Sequence, residues 1–553
     1  MEVEMKLSIR LFLLTTVFCL IPTAAITMES LPGQVLGIYG GPGDDMGYKI
    51  ANAQDGGFLL CGTTESFGNS KYDIPDILAI RVDSLGQILW QKDFGGTGSE
   101  YPFGLIRTRD GGYIIAGASY SFFDFIAAWV LKIDDNGNVI WQKAIGPHAY
   151  AADMTEEMAD GSVILSGAWY DEHSYDHPWI AKINPNGDII WQKAIMTPYG
   201  DNCQNILGLD DMGAVIGTFC GIYRFDNDGN MVWGKILRDF SNKEEGFYIS
   251  DIAKAQTGGF LLANGRQWEN DSYFRAELMR ISEEGVVMWT KSHDNDNNDT
   301  DAGTWLYQIL PVGNGKYYAC GKGNYNSNIG VTMFSFDESG GTYEDFKIYS
   351  SSLFIQINTW FSKFATIAGD GNIVFSADSW VGNWQDKRWQ FVLVKTGPEN
   401  RISGGCADTL EAPISWENIS IAAQSVTYDL SDVTPGCIDT APYNYLNESQ
   451  ASGINTFCPV IYSVKKLQNP FRLEILGDNF TRNLDEDDIF DVTIDGIAVS
   501  NTTWKSTYRL IAKKGVALKA MLPKGVPVCI KIKGKTLYDP LGLYESECFT
   551  FTR

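Results

Sequence analysis

The chain has 553 residues, of which 44% are hydrophobic, and a formal net charge of −25 at pH 7. This length exceeds what one ordinary hydrophobic core supports, so two or three domains are expected. The negative charge argues against a nucleic-acid partner or an anionic membrane surface, because like charges repel, and it suits calcium or a cationic partner.

Residues 1–25 predict a cleaved signal peptide. The basic residues Lys6 and Arg10 precede an apolar stretch over 11–21. Residues 23–25 have the small side chains of a cleavage site. The apolar stretch is shorter than the roughly 20 residues of a spanning helix, and no later segment comes close. We therefore expect a protein without a transmembrane segment that is secreted or lies at the cell surface.

Residues 26–397 are organised by a repeat. Each copy has an Asp or Asn turn of the form Asp-x-x-Gly, an aliphatic pair and a tryptophan, and the tryptophan recurs every 42 to 56 residues. Four apolar segments separated by Gly, Asp and Asn turns fill each repeat, which predicts the four antiparallel strands of a propeller blade. The copies end at Trp90, Trp141, Trp191, Trp233 and, more faintly, Trp289.

Seven first strands can be counted, but the last repeat has no fourth strand after Gly397. The segment 30–37 matches 84–90 almost residue for residue, with Gly37 in the place of the tryptophan. We therefore predict an all-β fold in which a seven-bladed β-propeller is closed by an N-terminal outer strand. Such closure leaves no long open sheet edge.

Two further regions follow the repeats. Residues 398–459 predict a connector that contains Cys406 and Cys437 and two short strands. Residues 460–553 show strand patterns at the spacing of an immunoglobulin-like β-sandwich, including one over 517–521.

Nine cysteines remain after removal of Cys19 with the signal peptide, and an odd number cannot be fully paired within one chain. Cys61 and Cys320 occupy the same place in their repeats and are expected to be small buried residues. In an oxidising compartment the predicted disulfides are Cys406 with Cys437 and Cys529 with Cys548.

The loops between the second and third strands of the repeats are rich in aromatic residues interleaved with Asp, Asn and Ser. Such side chains suit stacking on sugar rings or peptide side chains, although they could instead pack among neighbouring loops. We predict that this loop-bearing face binds a glycan or a protein. The candidate contacts are Tyr72, Tyr120, Trp169, Tyr170, Tyr175, Trp268, Trp380 and Trp384.

Two loops contain candidate metal ligands. The alternative is that these polar residues are solvated and bind no metal. His173 and His177 share seven residues with three carboxylates, enough ligand types for a divalent metal. The loop with Asp294, Asp296 and Asn298 has the composition of a calcium loop but lacks its glycine and its closing glutamate. Calcium is therefore the one cofactor considered.

Acidic residues also stand near the starts of several first strands. There they could ring the mouth of a central channel and hold a cation, or merely be solvated. They are Asp45, Glu100, Asp201 and Glu245.

The Gly-Gly, Asp-Gly-Gly and Asp-x-x-Gly-x-x-x-Trp elements over 31–396 resemble the propeller repeats of secreted bacterial quinoprotein-like proteins. The tail, with Gly477-Asp478-Asn-Phe480 and Asp495-Gly496, looks like an IPT/TIG domain. The first resemblance implies pyrroloquinoline quinone held over the channel with calcium, often against a vicinal disulfide. This sequence has no Cys-Cys pair, so no organic cofactor is predicted.

The sequence contains no Gly-x-Ser-x-Gly elbow, phosphate loop or His-Glu-x-x-His motif. We therefore predict a non-catalytic binding or adhesion protein. The alternative is a propeller enzyme, a polysaccharide lyase, glycosidase or quinoprotein-like oxidoreductase, with its site at the channel mouth. A pair of carboxylates for glycoside cleavage stays possible, because the distance between two acids cannot be derived from sequence.

Overall fold

The computed structural model is an all-β fold with one short helix among the residues that it describes. These are 35–41, 43–68, 74–171, 173–197, 201–219, 221–238, 248–267, 274–294, 304–325, 328–340, 344–350, 363–381, 388–397, 408–411, 415–418, 422–426, 430–432, 436–439, 460–467, 472–478, 491–499, 502–506, 509–513, 515–536, 539–545 and 549–552.

Within the described part of 35–395, the strands form seven four-stranded antiparallel sheets, numbered here in chain order. The N-terminal strand is β1 (Val35–Tyr39). Sheet 1 contains β2 (Asp45–Asn52), β3 (Phe58–Thr64), β4 (Asp76–Val82) and β5 (Ile88–Phe94). Sheet 2 contains β6 (Glu100–Arg107), β7 (Tyr113–Ser119), β8 (Ala127–Ile133) and β9 (Val139–Gly146). Sheet 3 contains β10 (Ala149–Met154), β11 (Val163–Tyr170), β12 (Asp176–Ile183) and β13 (Ile189–Ile195).

The remaining sheets repeat this plan. Sheet 4 contains β14 (Cys203–Gly208), β15 (Ala214–Thr218), β16 (Gly221–Phe225) and β17 (Met231–Arg238). Sheet 5 contains β18 (Tyr248–Lys254), β19 (Phe260–Gln267), β20 (Phe274–Ile281) and β21 (Val287–Asp294). Sheet 6 contains β22 (Thr304–Gly313), β23 (Lys316–Tyr325), β24 (Asn328–Asp337) and β25 (Glu344–Ser350). Sheet 7 contains β26 (Ala365–Ile367), β27 (Ile373–Val381) and β28 (Arg388–Lys395), and its outer strand is β1.

The first strands of consecutive sheets contact one another in chain order from β2 to β26, and β26 in turn contacts β2. The sheets therefore form a closed ring, with the hydrophobic core divided among the interfaces between neighbouring sheets. Leu59 and Ala79 of sheet 1, for example, share one buried cluster with Ile115 and Leu131 of sheet 2. This arrangement is consistent with propeller blades.

The N-terminal strand closes the last sheet, as predicted from the sequence. Strand β1 pairs antiparallel with β28, with Val35 opposite Lys395 and Gly37 opposite Leu393. The edge that sheet 7 would otherwise leave open is thereby hydrogen-bonded to a segment more than 350 residues earlier in the chain.

Each tryptophan of the repeat joins its own sheet to the next. Trp90 Nε1 donates a hydrogen bond to the Asp135 carbonyl of sheet 2 at 2.8 Å. Gly137 lies directly against the ring, since a Cβ there would be 2.9 Å from it, and its φ of 73° also favours glycine. The same hydrogen bond joins Trp141 to Pro185, Trp191 to Asn227, Trp233 to Glu283 and Trp289 to Glu338.

Five short strands between 408 and 439, here called the outer belt, follow the ring. They are β29 (Asp408–Glu411), β30 (Ser415–Asn418), β31 (Ala422–Val426), β32 (Leu430–Asp432) and β33 (Gly436–Asp439). Each adds a fifth antiparallel strand to one sheet, in the order sheet 6, 5, 4, 3 and 2. The sequence predicted only two strands here, because runs of three to five residues carry too little alternation to be recognised without the edge that they pair with.

The tail forms two sheets around one core. Strands β34 (Val460–Leu467), β35 (Arg472–Asp478), β38 (Thr502–Ser506) and β39 (Arg509–Ala512) make one sheet. Strands β36 (Asp491–Ile494), β37 (Ile497–Ala498), β40 (Pro527–Thr536), β41 (Asp539–Glu545) and β42 (Phe549–Thr552) make the other. Leu473 and Ile475 from the first sheet pack with Ile494 and Ile530 from the second.

The strand predicted over 517–521 is wrong. Helix α1 (Gly515–Ala520) occupies most of that segment. Leu518 and Leu522 are buried at a spacing of four residues, which places both side chains on one face of a helix turn. Ala517, Lys519 and Ala520 are helix formers, and their intrinsic preference agrees with this outcome.

Candidate functional site: the loop-bearing side and the interior of the ring

The acids at the starts of the first strands are buried structural groups. Asp45 and Glu100 have no exposed surface, so the prediction that they ring an open channel mouth is wrong for both. Asp45 accepts hydrogen bonds from Gly41 N and Ser66 Oγ, each at 2.6 Å, and therefore connects two loops. Glu245 lies outside the described residues.

Glu100 and Asp201 repeat this arrangement in sheet 2 and sheet 4. Glu100 accepts from Gly96 N and from Ser119 Oγ, at 3.2 and 2.8 Å. Burial raises the pKa of Glu100 to about 8 and that of Asp201 to about 6, against the opposing effect of their hydrogen bonds. These carboxyls stabilise the loops on the loop-bearing side, and because they are buried a ligand cannot contact them.

The first strands form the inside of the ring, and two of them contain stacked pairs of larger side chains. In β6, Tyr101 and Phe103 are partly buried while their neighbours are buried, and their rings stack with centroids 6.0 Å apart. In β22, Trp305 and Tyr307 stack in the same way at 5.6 Å. Sheets 2 and 6 lie three steps apart in the seven-membered ring, so the two stacked pairs are on nearly opposite walls.

The aromatic surface continues from sheet 2 into sheet 3. Phe103 meets Tyr150 edge to face at 6.3 Å, and Tyr150 meets Tyr170 at 6.2 Å. Tyr48 of sheet 1 is close enough to Tyr101 for an electrostatic interaction, and its hydroxyl accepts a hydrogen bond from Thr63 Oγ1 at 3.2 Å. We call Tyr48, Tyr101, Phe103, Tyr150, Trp305 and Tyr307 the interior aromatic wall.

An ion pair crosses the ring. Lys363, just before β26, reaches from sheet 7 to sheet 3, where its Nζ is 3.0 Å from Asp153 Oδ1 and donates to the Met154 carbonyl at 2.6 Å. Burial lowers the pKa of Lys363, but the carboxylates of Asp153 and Glu156 outweigh burial and raise it overall. The ammonium group therefore stays charged.

Two more buried groups belong to the same charged cluster. Burial lowers the pKa of Lys49 to about 8, with Asp153 opposing, and raises that of Asp251 to about 7. Glu156 is exposed, yet desolvation also raises its pKa, against the opposing charge of Lys363. We call Lys49, Asp153, Glu156, Asp251 and Lys363 the interior charged cluster.

Polar residues at one position of the first strands also bind the backbone of the next sheet. Asp153 and Asp251 accept from Ile206 N and Ile309 N, at 3.3 and 2.7 Å. Gln308 both donates to and accepts from the backbone of residue 365. Sequence reasoning missed these residues; the signal available was a polar residue about four places into successive first strands.

The predicted loop aromatics are only partly placed by the structure. Tyr120 and Tyr175 are 51% and 59% exposed, and Tyr170 is partly buried against Tyr150. Trp169 is partly buried and stacks on His177 at 6.1 Å. Tyr72, Trp268 and Trp384 lie outside the described residues, and the side chain of Trp380, in β27, is not described either.

The predicted metal ligands are not assembled into a site among the described residues. His177 Nε2 and His173 Nδ1 are 3.4 and 3.8 Å from the same atom, Asp171 Oδ2. In the described ranges no group of three or more His, Cys, Asp or Glu is arranged to hold a metal. Asp296 and Asn298 lie outside those ranges, and Asp294 is described only as backbone in β21, so calcium there stays a prediction.

The cysteines follow the prediction where they are described. Cys61 and Cys320 are free and buried, as is Cys203. Cys529 is disulfide-bonded. Its predicted partner Cys548 lies outside the described residues, as does Cys406, so both pairings stay predictions.

No protein-family model and no curated protein matches this chain. Among solved structures, a Bacteroides caccae protein of unknown function is 14% identical, covers 56% of this chain and 91% of its own, and gives a TM-score of 0.33. Sqt1 from Chaetomium thermophilum is 9% identical, with 64% and 97% covered and a TM-score of 0.38. The extracellular domain of a putative one-component system from B. thetaiotaomicron is 10% identical, with 91% and 85% covered and a TM-score of 0.22.

These neighbours are β-propeller-like proteins. Since every one of these TM-scores is below 0.5, we draw no functional argument from them. The resemblances to quinoprotein-like repeats and to an IPT/TIG domain stay predictions. In the part of the chain that the structure describes, no helix is long and apolar enough to cross a membrane.

Proposed function

We propose that this chain is a secreted or cell-surface binding protein without catalytic activity, whose loop-bearing side engages a glycan or a protein. Its ring would be a seven-bladed β-propeller over 26–397, followed by the connector over 398–459 and an IPT/TIG-like sandwich over 460–553. Export would depend on the signal peptide over 1–25, which lies outside the described residues.

The observation that carries this proposal is the row of exposed aromatic side chains on neighbouring loops of sheets 2 and 3. Tyr120, Phe125 and Tyr175 are 51%, 58% and 59% exposed. Phe125 lies 4.5 Å from the ring of His148, and His173 lies 6.5 Å from Tyr175. Aromatic rings offer large contact area at low conformational cost, which is why they are enriched where proteins bind partners.

The enzyme alternative needs carboxyls that a substrate can reach. Strands β4 and β5 of sheet 1 do bring two acids together, because burial and, after it, the charge of Asp76 raise the pKa of Asp93 to about 6. However, Asp76, Asp93 and Glu100 are at most 3% exposed. A substrate cannot contact them without rearrangement, so these residues favour binding over hydrolysis.

The test uses the full mature chain on glycan and extracellular-protein arrays. Tyr120→Ala with Tyr175→Ala should remove most retention while leaving the melting temperature nearly unchanged, because both side chains are exposed. The matched control is Leu89→Ala, which is 53% exposed on the outer strand β5, away from the loops. Equal retention of the double variant and the control would contradict the proposal.

A further inference from the structure

We infer that the exposed aromatic row on the loops of sheets 2 and 3 binds a basic, arginine-containing segment of a protein. This inference rests on the proposed function and deepens it, because it commits the loop-bearing side to one class of partner. Two properties of these loops support it. They bring aromatic rings and carboxyls together, and they contain no Lys or Arg that could neutralise the carboxyls.

The loops of the two sheets form one continuous surface. Tyr120 of sheet 2 and Asp176 of sheet 3 are both close enough to Tyr170 to raise its pKa, after the larger effect of burial. The Tyr170 amide donates to the His148 carbonyl at 2.8 Å, and the His148 ring centroid lies 4.5 Å from that of Phe125. These residues and their sequence neighbours are here called the loop patch: Tyr120, Asp124, Phe125, His148, Tyr170, Asp171, Tyr175 and Asp176.

The segments around the loop patch contain acids and no strong base. The sequence has five Asp or Glu residues in them, and the basic side chains there are three histidines. Asp124 is exposed, and Asp171 and Asp176 are partly buried, so a ligand can reach all three carboxyls. The segments are 119–126, 146–150, 169–177 and 196–202.

The carboxyls of the loop patch have no Lys or Arg partner among the described residues. Asp171 Oδ2 lies 3.4 Å from His177 Nε2 and 3.8 Å from His173 Nδ1, and these imidazoles are charged only when protonated. Hydrogen bonds, first of all from the Tyr175 amide, lower the pKa of Asp171, so its carboxylate stays charged. The patch therefore has an excess of negative charge.

The opposite side of the ring handles its acids differently. There Asp55 Oδ1 is 2.7 Å from Arg81 Nη2, and Asp110 Oδ2 is 2.6 Å from Lys132 Nζ. Much of the acidic charge of the turns is thereby neutralised within the molecule, whereas the loop patch can attract a cation without breaking such a pair. The same kind of ion pair joins Lys143 to Asp188 and Lys395 to Asp370.

Aromatic rings beside carboxylates suit a guanidinium group. Its planar cation stacks on aromatic faces, and its N–H groups bind a carboxylate in pairs. The ammonium group of lysine has the same charge but no flat face, so arginine should be preferred. A neutral glycan gains nothing from the negative charge and an acidic glycan is repelled by it. The net charge of −25 also steers a basic segment towards the chain.

The inference is tested by fluorescence-anisotropy titration of the full mature chain with labelled peptides that have blocked ends. Each peptide has about eight residues and alternates glycine with arginine, lysine or glutamate. At low salt the arginine peptide should bind with a Kd below about 100 μM, the lysine peptide about threefold more weakly and the glutamate peptide at least about a hundredfold more weakly. No binding of the arginine peptide, or equal binding of the lysine or glutamate peptide, would overturn the inference.

Charge variants separate the loop patch from the net charge of the chain. Asp124→Asn with Asp176→Asn should weaken binding of the arginine peptide by about tenfold, because two carboxylates of the patch are neutralised. The matched control is Asp228→Asn with Glu284→Gln, which neutralises two exposed acids in Asp-x-x-Gly-type turns on the opposite side. The control should change Kd by less than about twofold. Equal weakening by the two pairs would overturn the inference.

An aromatic variant tests the stacking contact. Tyr120→Leu with Phe125→Leu keeps apolar side chains but removes two aromatic faces, so the arginine peptide should bind about fivefold more weakly. Both residues are more than half exposed, so the melting temperature should stay nearly unchanged. Unchanged binding would overturn the stacking contact. If the charge variant fails to fold, this variant still tests the site.

The two proposals fail separately. If Tyr120→Ala with Tyr175→Ala removes retention on a glycan array while the arginine peptide does not bind the wild type, the proposed function stands and this inference falls. If the arginine peptide binds the wild type and the control but binds the Asp124→Asn, Asp176→Asn variant weakly, both stand. If neither the arrays nor the arginine peptide retain the wild type, both fall.

Discussion

The two sides of the ring use their residues in opposite ways. On the side with the Asp-x-x-Gly turns, the same contact recurs from sheet to sheet: a tryptophan donates to the next turn and packs on its glycine. On the loop-bearing side, Tyr120, Phe125 and Tyr175 are exposed. The residues that recur join sheets to each other, and the residues that differ are the ones free to contact a ligand.

The interior charged cluster is an exception to the rule that recurring residues join the sheets. Lys363 does not recur, and yet it joins sheet 7 to sheet 3. Lys363→Met would leave the buried Asp153 without its ion-pair partner, so the free energy of unfolding should fall by about 3–5 kcal/mol. Urea unfolding measures this loss. Adding Asp153→Asn to the same chain should restore part of it, and a loss below 1 kcal/mol, on the order of a surface pair, would contradict the assignment.

A recurring tryptophan should give the next largest effect. Trp191→Ala removes a hydrogen bond of 2.9 Å and the packing on Gly229, and because Trp191 is partly buried the loss should be about 2–3 kcal/mol. Trp191→Phe keeps the packing and should lose about 1 kcal/mol. Array retention of both variants, measured well below their melting temperatures, should equal that of the wild type; a selective loss of retention would break the division between the two sides.

The pH dependence of stability should reveal the protonation of Asp251 in the folded state. Its folded pKa is raised to about 7, mainly by burial, so the folded state holds a proton that the unfolded state releases near pH 4. The resulting stability is present below about pH 4 and is lost as the pH rises towards 7. Asp251→Asn does not titrate, and its stability relative to wild type should rise by up to about 1.4 kcal/mol per pH unit in that window. If urea unfolding at pH 4.5, 5.5 and 6.5 gave the same difference in stability between Asp251→Asn and the wild type, this prediction would be contradicted.

Ring closure should give the smallest effect. Gly37 stands at the tryptophan position where sheet 7 meets sheet 1, and the Tyr39 side chain fills the space beside it, with its hydroxyl donating to the Gly86 carbonyl at 2.8 Å. Tyr39→Phe should cost about 1 kcal/mol, the usual net worth of one hydrogen bond. Hydrogen exchange should show β1 amides exchanging faster than in the wild type. Unchanged protection of β1 would mean that strand pairing with β28 alone holds the closure.

The sequence revealed the parts of the fold that depend on local chemistry. Glycine and aspartate turns and the period of the tryptophan predicted four-stranded repeats, and the match of 30–37 to 84–90 predicted the pairing of β1 with β28. It did not reveal that Trp90 bonds the next sheet, since the acceptor, Asp135, lies 45 residues away. Lys363 and Asp153, 210 positions apart in sequence, likewise meet only because the ring closes.

The interior aromatic wall was missed for a different reason. A bulge lies between Pro102 and Gly104 in β6 and between Leu306 and Gln308 in β22, and it shifts the alternation of buried and exposed residues. Phe103 and Tyr307 fall in these bulges, so their direction cannot be derived from simple alternation. Loop composition was easier to recognise, and it led to Tyr120 and Tyr175 but not to the wall.

The outer belt pairs one strand with each of five sheets, so two separate segments of the chain have to match in number. Because β29 to β33 take sheets 6, 5, 4, 3 and 2 in turn, the chain passes the ring once in each direction. Loss or duplication of one repeat would leave one belt strand without its sheet, or one sheet without its strand. A change in the number of repeats among sheets 2 to 6 therefore keeps this one-to-one pairing only if the belt, encoded elsewhere in the chain, changes by one strand at the same time.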